Sequence, residues 1–207
     1  MTKSTPEKIR RSSADALKMV YYVIIGLAIT VALHRTFVKD GLFVGFQCFT
    51  QELDRLFLLL ALIFTICRFV HGASIHLDVP SNKRYKPLVD FVGFFFQASC
   101  FYLMALTLDK PITFSILFAI MLLADAIWLI VLLAIKYIEE LSATVVKQWL
   151  WSDFLIVVLL IILCVIQTKV VHWVEFIILL IALVAAALDY LLNKNFYFPS
   201  SIPNQHG

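Results

Sequence analysis

The chain has 207 residues, of which 62% are hydrophobic and 15% charged, with a formal charge of +3 and a mean hydropathy of +0.93. Soluble chains are about half apolar and about one quarter charged, so this composition excludes an ordinary water-soluble domain. The basic residues form no patch interleaved with aromatics, which argues against nucleic acid as a partner.

Lys3, Lys8, Arg10, Arg11 and Lys18, set against Glu7 and Asp15, precede an apolar run from Met19 to Leu33. This has the outline of a signal peptide. No small-x-small cleavage site closes the run, so an uncleaved first helix is expected over residues 16–38. Further spans are expected over 56–75, 87–108, 112–135, 149–167 and 171–192. The fourth is the clearest, because Asp125 is its only ionisable residue and its length, at the helical rise, is about 36 Å against a hydrocarbon layer of about 30 Å. Pro111 precedes it, where a first helical turn tolerates proline. The links at Asp109–Lys110 and Thr168–Val170 are so short that the helices they join must be antiparallel neighbours.

Residues 41–50 carry Leu42, Phe43, Val44, Phe46 and Phe49 but are too few to span, which leaves an interfacial or a re-entrant segment. The expected fold is therefore all-α, a polytopic transmembrane bundle of about six helices with no separate soluble domain. Residues 1–15 and 193–207 are read as cytoplasmic tails of a transmembrane domain over 16–192.

Orientation follows from the loops. Lys83, Arg84 and Lys86 in the second connection add to the basic N-terminal region, whereas the third and fifth connections offer Lys110 and Lys169. The positive-inside bias places both ends in the cytoplasm, in a multi-pass protein of a bacterial inner (plasma) membrane. Trp149, Trp151, Trp173, Tyr190 and Tyr197, near the ends of the runs, read as interfacial aromatic belts.

Ionisable groups inside the spans carry the functional argument. A carboxylate at mid-bilayer costs about 3 kcal/mol, so Asp125 must pair, protonate or meet water. Arg68 is the only basic residue well within a span, and Asp90, Asp153 and Asp189 lie at the depth where they would form a shared polar layer with it. Snorkelling of each charge to the interface is the alternative. Asp90, Gly93, Gln97 and Cys100 recur at helical spacing and make a semi-polar stripe. Thr65, Arg68 and Gly72 share a second face, which His71 extends. Gly26 with Thr30, and Asp189 with Ala182, Ala185 and Ala186, read as close-packing faces. Cys67, Cys100 and Cys164 read as small buried hydrophobes, and Cys48 as the one thiol outside an apolar run. His34, His71, His76 and His172 lack zinc-ligand spacing.

No GxSxG nucleophile, GxGD pair, Walker A loop, TVGYG filter or aspartate-rich phosphatidyl-alcohol transferase signature occurs, and no lysine lies at mid-span. Ionisable groups in spans without an enzyme motif point to a pore or ion pathway, as a channel or a membrane-permeabilising effector. The expected state is a homo-oligomer in a lipid bilayer, with Asp125, Arg68, His71, Asp90, Gln97, Asp153 and Asp189 as pathway residues. Neither a metal nor a cofactor is expected; a trigger or a partner protein is not legible. Two alternatives stand beside it. One is a small enzyme acting on a lipid at the cytoplasmic face through carboxylates such as Asp90, Asp153 and Asp189, with Arg68 as phosphate clamp; the other is a non-conducting partner subunit.

Overall fold

In hydrocarbon no water satisfies backbone N–H and C=O groups, so apolar runs of this length fold as helices that bond their own backbone. A computed structural model of the chain describes residues 6–39, 42–43, 53–78, 87–134, 143–166 and 173–197. It contains helices α1 (Pro6–Phe37), α2 (Leu53–Asp78), α3 (Pro87–Leu106), α4 (Pro111–Ala134), α5 (Ala143–Ile166) and α6 (Val174–Leu192), followed by the short α7 (Lys194–Tyr197). The first six are long and apolar enough to cross a membrane, so the chain is a multi-pass integral membrane protein in contact with lipid.

Several boundaries differ from the sequence expectation. α1 starts at Pro6 and α5 at Ala143, both earlier than hydropathy suggests, because a helix continues into the polar interface without losing its hydrogen bonds. α1, with 32 residues, is about 48 Å long and outreaches the hydrocarbon layer. Residues 42–43 pair antiparallel with 38–39, in the register Val38 with Phe43 and Lys39 with Leu42. The rest of the 41–50 segment, Cys48 included, lies outside the described residues, as does His172.

α3 and α4 both open on proline, which fills the first-turn position where no N–H is needed. They join through a tight turn in which the Lys110 amide donates to Thr107 O (2.8 Å) and the Phe114 amide to Lys110 O (2.9 Å). Thr36 and Thr65 return their hydroxyls to the carbonyls of Ala32 and Ala61 one turn back, so these buried groups need no partner helix. Around the bundle the helices touch in the closed order α1, α3, α4, α5, α6, α2.

The core is divided by depth. One half, holding the first part of α2, the last part of α3 and the first part of α4, is filled by Leu58, Leu62, Phe101, Met104, Phe114 and Phe118 without solvent exposure worth noting. The other half contains the polar side chains described below. Outward faces of the described helices are largely apolar, as Val23, Leu123, Leu159 and Val184 illustrate.

Small residues behave unevenly. Gly26 and Thr30 face outward with nothing near a Cβ at Gly26, so this step does not pack helices together as expected. Cys67 is exposed on the outer face and Cys164 half-buried; only Cys100 takes the buried place expected of all three. Hydropathy cannot separate these cases, because lipid and core are equally apolar. Gly93 is the tight contact: a Cβ there would lie 2.8 Å from Trp128 Cδ1 on α4. Gly93→Ala is accordingly expected to lower stability by about 1–3 kcal/mol, since an indole ring packed in the bundle cannot yield like a flexible chain end. Thermal unfolding of the detergent-solubilised variant measures this; an unchanged midpoint would mean that the ring swings aside freely.

Candidate functional site

Tyr21 on α1, Gln97 on α3, Asp125 on α4, Asp153 on α5, Arg68 on α2 and Asp189 on α6 form one chain of neighbouring polar side chains that visits every spanning helix. Tyr21 Oη donates to Gln97 Oε1, and Gln97 Nε2 donates to Asp125 Oδ1 at 3.1 Å. The Asp125 and Asp153 carboxyls are within hydrogen-bonding reach of each other. Arg68 then donates through Nη2 to Asp153 Oδ1 (2.8 Å) and through Nε to Asp189 Oδ2 (3.2 Å). All but Asp125 are buried; Asp125 is half-buried.

Asp189 is the hub at one end. Its Oδ1 accepts from Trp149 Nε1 (2.8 Å) and Asn193 Nδ2 (2.8 Å), and its Oδ2 from Tyr197 Oη (2.7 Å) as well as from Arg68. Four donors on one carboxylate disperse its charge, and two of them come from residues expected in the C-terminal tail. Asn193 ends α6, its amide donating to Asp189 O (3.0 Å), and α7 then turns Tyr197 back under the bundle. Burial first, and the Asp189 charge second, push the Tyr197 phenol well above the ordinary tyrosine range, so it remains a proton donor.

A hydrogen bond between two carboxyl groups requires a proton between them. Asp153 Oδ2 is buried and accepts no hydrogen bond among the described residues, and the Asp125 carboxyl beside it becomes a donor when protonated. Among the described residues Arg68 faces three carboxyl groups here, so a proton held between Asp125 and Asp153 would lower the surplus of negative charge. Beside this pair lies a cavity of about 40 Å³, walled by Arg68, Gln97, Asp125, Asp189 and His76 among others. A volume above about 15 Å³ with polar walls admits water.

Of the residues singled out from sequence, Arg68, Gln97, Asp125, Asp153 and Asp189 come together. Asp90 stands apart, paired with His76 Nε2 at 3.3 Å. His71 is also outside the chain: its Nδ1 meets Tyr190 Oη at 2.9 Å and its ring lies 4.7 Å from that of Tyr197, beside the hub. It sits within α2. Trp149 and Tyr197 are corrections, for both are buried and bond Asp189, whereas Trp151 and Trp173 are exposed as belt residues should be. Sequence reasoning also missed Tyr21, His76 and Asn193. The one available signal was spacing, since Asn193 follows Asp189 by a helical turn.

At the opposite end Arg35 and Asp109 make a 3.4 Å ion pair with both side chains exposed, a geometry worth at most about 1 kcal/mol. No group of three His, Cys, Asp or Glu residues spaced for a metal ion occurs among the described residues. No family model, curated protein or solved structure matches the chain.

Proposed function

We propose that the bundle interior is an ion pathway and that the ion is the proton. The observation that carries this is the neighbouring carboxyl pair Asp125–Asp153, set between hydrogen-bonded polar groups drawn from all six helices and flanked by a water-sized cavity. A carboxyl pair that shares a proton can bind and release it with small movements of the two side chains, and intramembrane carboxyls with water access are the usual parts of proton relays. A cavity of about 40 Å³ suits water better than a hydrated metal ion. The apolar half of the core, with Phe101, Phe114 and Phe118, would act as the gate.

This reading narrows the expectation of a self-associating pore. Outward faces of the described helices are largely apolar, so the polar lining favours a route inside each bundle over one between copies. A lipid-cleaving role with Arg68 as phosphate clamp is less supported, because Arg68 already donates to two carboxylates.

Purified protein in liposomes loaded with a pH-sensitive dye should take up protons on a pH step or a potassium diffusion potential, and Asp125→Asn should reduce the rate about tenfold or more by removing the shared proton. Folded protein that gives no flux above empty liposomes under either driving force would remove the reading. Equal flux in Asp125→Asn would remove the carboxyl pair from it.

The positive-inside bias further assigns both ends to the cytoplasm, with the polar half of the core on that side. Reporter fusions after Val38, Asn82, Lys110, Glu140 and Lys169 and at the C-terminus should alternate out, in, out, in, out, in. An external C-terminus would refute the orientation.

A further inference from the structure

A second cavity, of about 420 Å³, lies between α3 and α4. Its mouth is lined by Val92, Phe96, Ile127 and Val131, all exposed on the outer face of the bundle, and at its inner end stand Gln97 and Asp125. The size falls within the range of about 300–1,000 Å³ common for small-molecule sites. Because the mouth opens sideways among apolar residues of two spanning helices, only molecules dissolved in the bilayer reach it.

The polar end restricts what can enter. Gln97 uses Oε1 to accept from Tyr21 and one Nε2 hydrogen to reach Asp125, which leaves its second amide hydrogen to donate. Asp125, half-buried beside it, retains lone pairs to accept. One donor beside one acceptor complements a hydroxyl group. Depth excludes larger heads: Gln97 lies ten residues into α3, about 15 Å from its start, and a charged headgroup carried that far from water would meet a carboxyl group in a low-dielectric setting. The floor is set by Trp128, whose ring presses on Gly93 and borders both cavities.

We propose that the α3–α4 crevice is a binding site for a neutral long-chain alcohol of the membrane, its chain among the apolar walls and its hydroxyl between Gln97 and Asp125. The assignment is read by binding alone and stands whether or not the interior conducts protons.

The test is photolabelling of the full chain in phosphatidylcholine nanodiscs with a long-chain alcohol bearing a diazirine and an alkyne. Label is expected on peptides covering 88–96 and 121–131. The unlabelled alcohol should displace it, and the alkane of equal length should compete about fivefold less well, the value of one hydrogen bond. Gln97→Leu should abolish that preference. Val92→Trp, which fills the mouth from an exposed position and does not threaten folding, should remove the label, whereas Val184→Trp on α6 should not. Label spread evenly over outward faces, an alkane competing as well as the alcohol, or a fatty acid competing better would each overturn the proposal.

Discussion

Arg68→Leu is expected to destabilise the bundle by about 3–5 kcal/mol, the usual cost of removing one partner from a buried ion pair. Asp153 and Asp189 are both buried and both accept from Arg68, so the substitution leaves two carboxylates facing each other in an apolar interior. Arg68→Lys should recover only part of the loss, since an ammonium group has no planar fork with which to hold Asp153 and Asp189 at 2.8 and 3.2 Å together. A companion variant, Arg68→Leu with Asp153→Leu, should be less destabilised than the sum of the single changes, because it removes a charge with its counter-charge. Thermal midpoints of the detergent-solubilised proteins decide the matter. If Arg68→Leu unfolds at the wild-type temperature, the two carboxylates do not depend on this cation.

Asp189→Asn should be nearly as damaging, at about 3 kcal/mol or more, although the side chains are isosteric. The carboxylate accepts from four donors at once; an amide presents one oxygen, and its NH₂ group would face donors where an acceptor is needed. The loss has a local signature. Tyr197 and Asn193 are held to the bundle through Asp189, so α7 should loosen and trypsin should cut after Lys194 faster than in the wild type. Cleavage at the wild-type rate in a variant that remains folded would mean that α7 is secured by packing against His71 and Tyr190 instead.

The six spans were legible because the bilayer imposes one length and one kind of side chain on any crossing helix. Arg68 with Asp153 and Asp189 was legible for a related reason: an isolated charge at that depth is too costly, and few opposite charges were at hand. Tyr21, Trp149 and Tyr197 were not, since an aromatic residue near the end of an apolar run looks the same whether it faces headgroups or turns its N–H or O–H inward. The direction of each helix face is set by packing partners far along the chain. Hydropathy likewise could not tell Cys67, on the outer surface, from Cys100 inside. The place of Gly93 depended on Trp128, a residue of the next helix, and no local pattern announced it.

The polar chain joins residues that are remote in sequence: 76 positions separate Tyr21 from Gln97, and 121 separate Arg68 from Asp189. Biosynthesis delivers these partners in order. When α2 enters the bilayer, Arg68 has neither of its carboxylates, and it acquires them only as α5 and then α6 leave the ribosome. An intermediate that contains α2 but not yet α5 and α6 therefore carries an uncompensated charge at depth, which is costly in hydrocarbon. Both carboxylates reach Arg68 only once α6 has joined the bundle.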